Sequence, residues 1–234
     1  ALNYHKSLSS DKVSYLSLGF MGGMIRKSID LSKMSTNSQW GGGGYDPTSP
    51  TGEPLSAAGF TSWDASVGMS FNSSFGIDQA NSMFFGVAYH HLNRPKNSFY
   101  RNPEIELSPK YVISSGVKFM MDDYTYFTLH ADHSIQGSFR ETIGGALYSY
   151  KIGGMVDEPL YTVHAGAFLR WRDAFIPVVK LDMQALSVAV SYDVNISQLK
   201  TASMGRGGFE LSLTYTGFTR RDNDNTYGVL CPRF

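Results

Sequence analysis

Two runs near the C-terminal end, Ala185 to Asn195 and Gly207 to Thr216, alternate between apolar and polar residues. The apolar positions of the second run are Phe209, Leu211, Leu213 and Tyr215. A period of two residues puts one face in apolar surroundings and the other in polar ones, so both runs are predicted to be β-strands. The alternation alone fits a soluble sandwich and a membrane barrel equally well.

Eight further segments show the same alternation, one of them (Arg140–Tyr150) less cleanly, and bring the predicted strands to about ten. They are Ser14–Met24, Trp63–Asn72, Ser82–His90, Tyr111–Phe119, Phe127–Asp132, Arg140–Tyr150, Tyr161–Trp171 and Phe175–Met183. A length of roughly ten residues suits a tilted strand that crosses a bilayer. Ala1 to Leu8 reads like the tail of another strand, and we expect the N-terminal strands of the parent protein to be missing from this chain.

The second face of these segments distinguishes the two architectures. In a soluble sandwich it would be rich in Lys, Glu and Thr, but here it is largely Gly, Ala and Ser with isolated charges, as in the interior of a modest barrel. Charged residues make up 17% of the sequence, below the roughly 25% of soluble domains. The sequence therefore predicts an all-β, antiparallel, up-and-down transmembrane barrel of the outer membrane over residues 1–216, followed by a polar periplasmic tail at 217–234.

The connections alternate in length, as they do in bacterial outer-membrane barrels, which have short periplasmic turns and long outer loops. The long ones are Ile25–Ser62, Leu92–Pro109 and Ile196–Arg206. With these loops outside, aromatic residues fall at both strand ends and predict two girdles. The outer girdle would hold Trp63, Tyr89, Tyr111, Trp171, Phe175, Tyr192 and Phe209, and the inner one Tyr15, Tyr124, Tyr148, Tyr161 and Tyr215. The alternative is that these aromatics are scattered through a soluble core.

Candidate chemistry is sparse. Lys plus Arg and Asp plus Glu both number 20, so no excess of basic charge points to nucleic acid. Asp64 and His90 are predicted to face the interior on adjacent strands and could form a general-base pair, the alternative being simple hydrogen bonding in a polar interior. The run 130–133 cannot offer three ligands to one metal because its side chains lie on opposite faces. The glycine run 41–44 lacks the lysine of a phosphate loop and is predicted to be a mobile loop. We predict no enzyme, no cofactor and no metal site.

Several longer stretches resemble one known family. They are 191–197, 202–213, His91-Leu92-Asn93-Arg94-Pro95, Tyr45-Asp46-Pro47, the run 170–177 and the closing Cys231-Pro232-Arg233-Phe234. Their sequences and their order are similar to those of the PorP/SprF family of the type IX secretion system. The resemblance covers nearly the whole chain.

This resemblance implies an outer-membrane barrel of Bacteroidetes-type bacteria that works in the export or surface retention of large proteins such as gliding adhesins. The implied partners are the C-terminal domain of a secreted cell-surface adhesin, periplasmic secretion or motility components, and membrane lipid, with no nucleic acid. Partner-binding residues are predicted in the outer loops at Tyr45, Asp46, Asn93, Arg94 and Arg206. The rival functions are a porin for small solutes and a surface protease that uses Asp64 and His90.

Overall fold

The computed structural model describes residues 1–53, 58–100, 102, 104–156, 158–197 and 206–217. In this part of the chain there are thirteen β-strands and three 3-10 helices of three residues each. The strands are β1 Leu2–Ser7, β2 Ser14–Ser28, β3 Trp40–Gly41, β4 Gly44–Tyr45, β5 Gly59–Phe75, β6 Asn81–His90, β7 Lys110–Met120, β8 Thr125–Gln136, β9 Phe139–Gly154, β10 Pro159–Arg170, β11 Ala174–Met183, β12 Leu186–Asn195 and β13 Gly208–Tyr215. The 3-10 helices are Leu31–Lys33, Asn37–Gln39 and Ile77–Gln79. No helix within the described ranges is both long and apolar enough to cross a membrane.

Eleven strands form one antiparallel meander in which each strand pairs with its neighbours along the chain, and β3 and β4 form a separate hairpin between β2 and β5. The prediction of an all-β, antiparallel, up-and-down sheet is confirmed, with all ten predicted strands in place. Within the described residues β1 and β13 each pair with one neighbour, so they are the two free edges of an open sheet. We call the end of the sheet that bears the connections 29–58, 91–109 and 196–207 the loop end, and the opposite end the turn end.

Two strands extend further toward the loop end than the alternation predicts. β2 continues past Met24 to Ser28, and β5 begins at Gly59 rather than at Trp63. Their register runs without interruption from Met24–Trp63 to Ser28–Gly59. The prediction stopped early because the residues beyond Met24 no longer alternate, whereas the backbone hydrogen bonds of a strand pair need no apolar face.

The sheet has no apolar interior. Among the described residues, Ala174 and Ile176 are the only buried hydrophobic side chains, whereas buried polar ones include Thr128, Ser149 and His164. This reverses the usual distribution of a soluble protein. We call the face of the sheet that bears these polar residues the polar face, and the other the apolar face. Large side chains exposed on the apolar face include Phe20, Trp63, Met69, Phe85, Tyr111, Leu129, Tyr148, Val179, Val190 and Leu211.

The polar face also carries large aromatic residues that the alternation did not predict, among them Phe84 and Phe168. Phe84 on β6 lies opposite Gly116 on β7, and Phe168 on β10 lies opposite Gly145 on β9. In each pair the ring occupies the space where a Cβ of the glycine would stand. The expectation of small residues with isolated charges on this face is therefore incomplete, because glycine on one strand makes room for a large ring on the next.

The tight turn between β7 and β8 is fixed by one carboxylate. Asp122 Oδ1 accepts the backbone N–H groups of Tyr124 at 2.8 Å and Thr125 at 2.7 Å, and Oδ2 accepts the Thr125 hydroxyl at 2.6 Å. These hydrogen bonds, the Thr125 hydroxyl first among them, hold the pKa of Asp122 below its ordinary value. Asp122 is therefore the residue that closes this hairpin.

Candidate functional site

The loop end carries the residues that the sequence analysis selected, and its first connection, residues 29–58, is held together by Gln39. This side chain is buried and donates to the Ser49 carbonyl at 3.0 Å, while its amide oxygen accepts the Thr36 N–H at 3.1 Å. The Gln39 carbonyl also accepts the N–H of Asp46 at 2.8 Å. Gln39 thus links Thr36, Asp46 and Ser49 within one long connection. Leaving its buried amide without hydrogen-bond partners would be costly, so these contacts hold the connection in place.

The glycine run forms the turn of the β3–β4 hairpin, in which Trp40 pairs with Tyr45. Their ring centroids lie 5.5 Å apart, and the side chains are 62% and 45% exposed. Four glycines between two aromatics therefore make a short ladder with an exposed aromatic pair where an irregular mobile loop had been predicted. Because it forms no helix after the glycines, this segment also lacks the N–H groups that cradle a phosphate.

Asp46, predicted as a partner contact, folds the next turn. Its Oδ1 accepts the Thr48 N–H at 2.8 Å and the Thr48 hydroxyl at 2.6 Å, and its Oδ2 accepts the Ser49 hydroxyl at 2.8 Å. The Thr48 hydroxyl is the main reason that the pKa of Asp46 lies below its ordinary value. Asp46 is thus a charged residue whose oxygens already have partners in the loop, and it sets the position of the neighbouring Tyr45.

The second connection, residues 91–109, is fixed to the top of β5 by Asn93. Its side-chain oxygen accepts the Ala65 N–H at 3.1 Å, and its side-chain nitrogen donates to the Trp63 carbonyl at 2.7 Å. Because β6 ends at His90, the amide takes over hydrogen bonds that a longer β6 would have made with β5. Arg94 follows with a φ of 44° and an exposed side chain, so the chain turns outward directly after the clamp.

The two connections contact each other and form one layer, which we call the loop layer (residues 26–60 and 91–109, as far as they are described). Lys27 Nζ donates to Asn97 Oδ1 at 2.6 Å, and Phe60 packs edge-on against Phe99 with centroids 5.0 Å apart. Tyr100 donates its hydroxyl to Glu53 at 2.7 Å, and this hydrogen bond raises the pKa of Tyr100. Tyr45, Asn93 and Arg94 all belong to this layer.

Arg206 lies elsewhere. It lies two residues before β13, an edge strand, whereas the loop layer rises from β2, β5, β6 and β7. Its carbonyl accepts Asn195 Nδ2 at 3.1 Å, and the next N–H, of Gly207, donates to the Tyr192 hydroxyl at 3.0 Å. The structure therefore groups four of the five predicted contact residues on one side of the sheet and leaves Arg206 at its far edge. Most of the third long connection, residues 198–205, lies outside the described residues.

On the polar face, the proposed pairing of Asp64 with His90 is wrong. Asp64 Oδ2 contacts His91 Nδ1 at 2.9 Å, and His90 Nδ1 contacts the Ser66 hydroxyl at 3.1 Å. The positive φ of His91, 59°, turns that ring back toward β5, which the strand periodicity could not foresee. The pair Asp64–His91 lies beside the Asn93 clamp and helps to hold the second connection.

A serine, a histidine and an aspartate form an unpredicted chain of hydrogen bonds across β9, β10 and β11. Ser149 Oγ lies 2.7 Å from His164 Nδ1, and His164 Nε2 lies 2.9 Å from Asp182 Oδ2. Lys180 Nζ is 3.1 Å from the same carboxylate. The order matches that of a serine hydrolase, but Ser149 is 0% exposed and no substrate carbonyl can reach its oxygen.

This chain of hydrogen bonds therefore binds three strands together on the polar face. Its histidine, His164, lines a cavity of about 270 Å³ together with Tyr126, His130 and Phe168. Toward the loop end, Arg170 at the end of β10 contacts Asp173 in the following turn at 3.2 Å and Asp193 on β12 at 3.0 Å. In the part of the chain that the structure covers, no group of three His, Cys, Asp or Glu side chains is arranged as metal ligands.

Comparison with known proteins identifies one matching family. Residues 2–215 match the family described as type IX secretion system membrane protein PorP/SprF. No curated protein matches the chain. The match covers all eleven strands of the sheet and the loop layer.

Proposed function

Because the chain belongs to the PorP/SprF family of type IX secretion system membrane proteins, we propose that it is a non-enzymatic barrel of the outer membrane that serves the secretion and surface attachment of a large adhesin, as in gliding motility. The observation that carries this proposal is the exposed apolar face. Burial of apolar surface contributes roughly 25 cal/mol per Å², and a sheet whose hydrophobic side chains almost all lie in water forgoes that term. Lipid supplies the missing contact.

The aromatic residues support a bilayer around this face. Trp63, Tyr111, Trp171 and Phe209 are exposed toward the loop end, and Tyr124, Tyr148, Tyr161 and Tyr215 are exposed toward the turn end. Amphipathic rings favour the two interfaces of a membrane. β2 and β5, with 15 and 17 residues, exceed the roughly 9–11 residues that a tilted strand needs to span the hydrocarbon, so they extend the wall beyond the bilayer on the loop end.

The loop layer is the surface that we assign to the cargo, the C-terminal domain of the adhesin. It is preorganised by Gln39, Asn93 and the contact between its two connections, and it exposes Trp40, Tyr45 and Arg94. Aromatic and arginine side chains on a preformed scaffold are the residues that most often contribute large binding energies at protein interfaces. The polar tail at 217–234 would meet periplasmic secretion or motility components, and all but its first residue lies outside the described residues.

The test is capture of the cargo domain by the purified protein in detergent. Residues 98–104 are replaced by Asn-Gly, which leaves the backbone hydrogen bonds between Asn97 and Ile105 and between Leu107 and Pro95 in place. Phe139→Ser serves as the matched control, since Phe139 is an exposed aromatic at the loop end, at the start of β9. We expect the shortened loop to lose the cargo and the control to retain it; equal retention by both would remove the loop layer from the proposal.

A porin is the second candidate, and one cavity favours it. The polar face of β2, β5, β6 and β7 borders a cavity of about 510 Å³ whose lining includes the small residues Gly68, Ser70, Gly86, Ala88 and Ser114. Small side chains leave room for water in a barrel interior. Recordings in a planar bilayer distinguish the two functions: steady open channels of the wild-type protein would favour the porin, and an absence of conductance favours the adhesin-binding barrel.

A further inference from the structure

The acidic residues of the strands are confined to one face of the sheet, whereas basic residues occur on both faces. Every acidic residue of the eleven-stranded sheet lies on the polar face: Asp64, Asp132, Glu141, Asp182, Asp193 and Glu210. Apart from tyrosines, the ionisable residues on the apolar face are all basic or imidazole: Lys6, Arg26, His133 and Arg140. A charge is costly against hydrocarbon, so cations on a lipid-facing surface lie where they reach the headgroups. An apolar face with cations and no anions is complementary to an anionic lipid.

Two of these residues lie side by side at the loop end, on β8 and β9. Arg140 stands opposite Ile135, and His133 stands opposite Thr142, one pair further along the same face. His133 Nδ1 is 2.7 Å from the Thr142 hydroxyl, which fixes the imidazole against the strand. Arg140 and Thr142 are exposed. We call His133, Arg140 and Thr142 the basic patch.

The carboxylate nearest in sequence to Arg140 is directed elsewhere. Glu141 lies on the polar face, where Oε2 is 3.7 Å from Arg170 Nε. In the described residues Arg140 makes no ion pair, so its guanidinium retains all of its N–H donors. The patch is bordered by aromatic residues: Tyr111 lies opposite Ile135, and the N–H of Trp171 donates to the Thr142 carbonyl at 2.8 Å. The cation thus sits at the level of the aromatic residues of the loop end, where headgroups meet hydrocarbon.

We propose that the basic patch binds the phosphate of a phosphorylated lipid headgroup in the outer leaflet. This rests on the proposed location of the barrel in the outer membrane. Arg140 presents the planar pair of N–H groups that phosphate accepts in a bidentate manner. Thr142 and the imidazole add a hydroxyl and a ring nitrogen on the same side. The acyl chains of the lipid then lie along the apolar side chains that continue down β8 and β9, among them Leu129, Phe127 and Tyr148.

The experiment uses the full-length protein in detergent and measures bound lipid by native mass spectrometry. Lipid A that carries both phosphates is compared with the same lipid after phosphate removal, and inorganic phosphate is added as a competitor. The variants are Arg140→Gln, Arg140→Lys and Lys6→Gln. Lys6 is the matched control because it lies on the same face near the turn end.

We expect phosphorylated lipid A to bind about tenfold more tightly than the dephosphorylated lipid, which corresponds to about 1.4 kcal/mol. Arg140→Gln should abolish this difference, Arg140→Lys should retain part of it, and Lys6→Gln should keep all of it. Equal binding of both lipids, or unchanged preference in Arg140→Gln, would overturn the proposal. Full displacement by inorganic phosphate at equal concentration would overturn the assignment to a lipid.

A separate measurement tests the outer-membrane location independently of lipid binding by the basic patch. Wild type and Arg140→Gln are expressed in a Gram-negative host, and each is followed through fractionation and heat-dependent migration on gels, which reports a folded barrel. Both should fold and remain with the outer membrane, since Arg140 is exposed. A wild-type protein absent from that fraction would contradict the proposed location, whereas a correctly located protein without lipid preference contradicts only the basic patch.

Discussion

The packing of Phe84 on Gly116 offers a sharp test of how the polar face is built. A Cβ at Gly116 would overlap Cε1 of Phe84 and lie 3.0 Å from Cδ1 and 3.1 Å from Cζ. The ring cannot simply withdraw, because it also packs against the imidazole of His130, with centroids 5.7 Å apart. Gly116→Ala therefore forces the ring to move or the strands to separate.

The expected magnitude follows from two opposing effects. Overpacking a filled site costs about 1–3 kcal/mol, and replacing glycine by alanine within a strand recovers about 0.5–1 kcal/mol of backbone entropy. We expect Gly116→Ala to lower the free energy of unfolding by up to about 2.5 kcal/mol. Gly86→Ala, the matched control on the same face, should be neutral or stabilising, since the atom nearest to its Cβ would be the Met69 carbonyl oxygen at 3.7 Å.

Denaturant unfolding in detergent micelles, followed by tryptophan fluorescence, measures both changes as shifts of the midpoint. Adding Phe84→Leu to Gly116→Ala should restore most of the lost stability, because the smaller side chain vacates the space of the new methyl group. Equal shifts for Gly116→Ala and Gly86→Ala, or a failure of Phe84→Leu to compensate, would refute the reasoning.

Three further outcomes are expected. Asn93→Ala should expose the connection 91–109 to limited proteolysis at least severalfold faster, because it removes two hydrogen bonds worth about 0.5–1.5 kcal/mol each; an unchanged cleavage rate would contradict the clamp. Gln39→Ala should do the same for the connection 29–58 without altering cleavage in the other. The pKa of Asp122 is lowered by folding, so its stabilisation is present above the ordinary carboxyl pKa and is lost as pH falls through the lowered value. The protection of the Thr125 amide, measured as its exchange rate relative to the unstructured rate at the same pH, should therefore fall in that acidic range, and a protection that does not change with pH would contradict the turn structure.

The strands could be predicted because the apolar and polar faces of the sheet differ along its whole length. Each strand therefore alternates between apolar and polar residues, as Trp63 to Asn72 and Leu186 to Asn195 do, and this alternation is visible in the sequence. The loop layer could not be predicted. Gln39 and Asn93 act through hydrogen bonds to backbone groups 10 to 30 residues away, and such contacts leave no periodic trace. They depend on the path of the chain, which is set only once β2, β5 and β6 are paired.

Contacts across strands were missed for a related reason. Ser149, His164 and Asp182 meet because the register places Ser149 opposite His164 and Asp182 diagonal to it on one face, and register cannot be deduced from each strand separately. The same applies to Phe84 and Gly116, since neither residue signals the other. The predicted partner of Asp64 was wrong by one residue: the positive φ at His91 turns this side chain, rather than that of His90, toward the carboxylate.

The two free edges of the sheet impose a rule of parity. They are the first and last of eleven antiparallel strands, so β1 and β13 both run from the loop end toward the turn end. Direct joining of β1 to β13 would make a parallel seam in an otherwise antiparallel wall. A closed, fully antiparallel barrel would instead need an odd number of further strands between β1 and β13. The one that pairs with β13 must run from the turn end toward the loop end, and the total is then even, as in bacterial single-chain barrels.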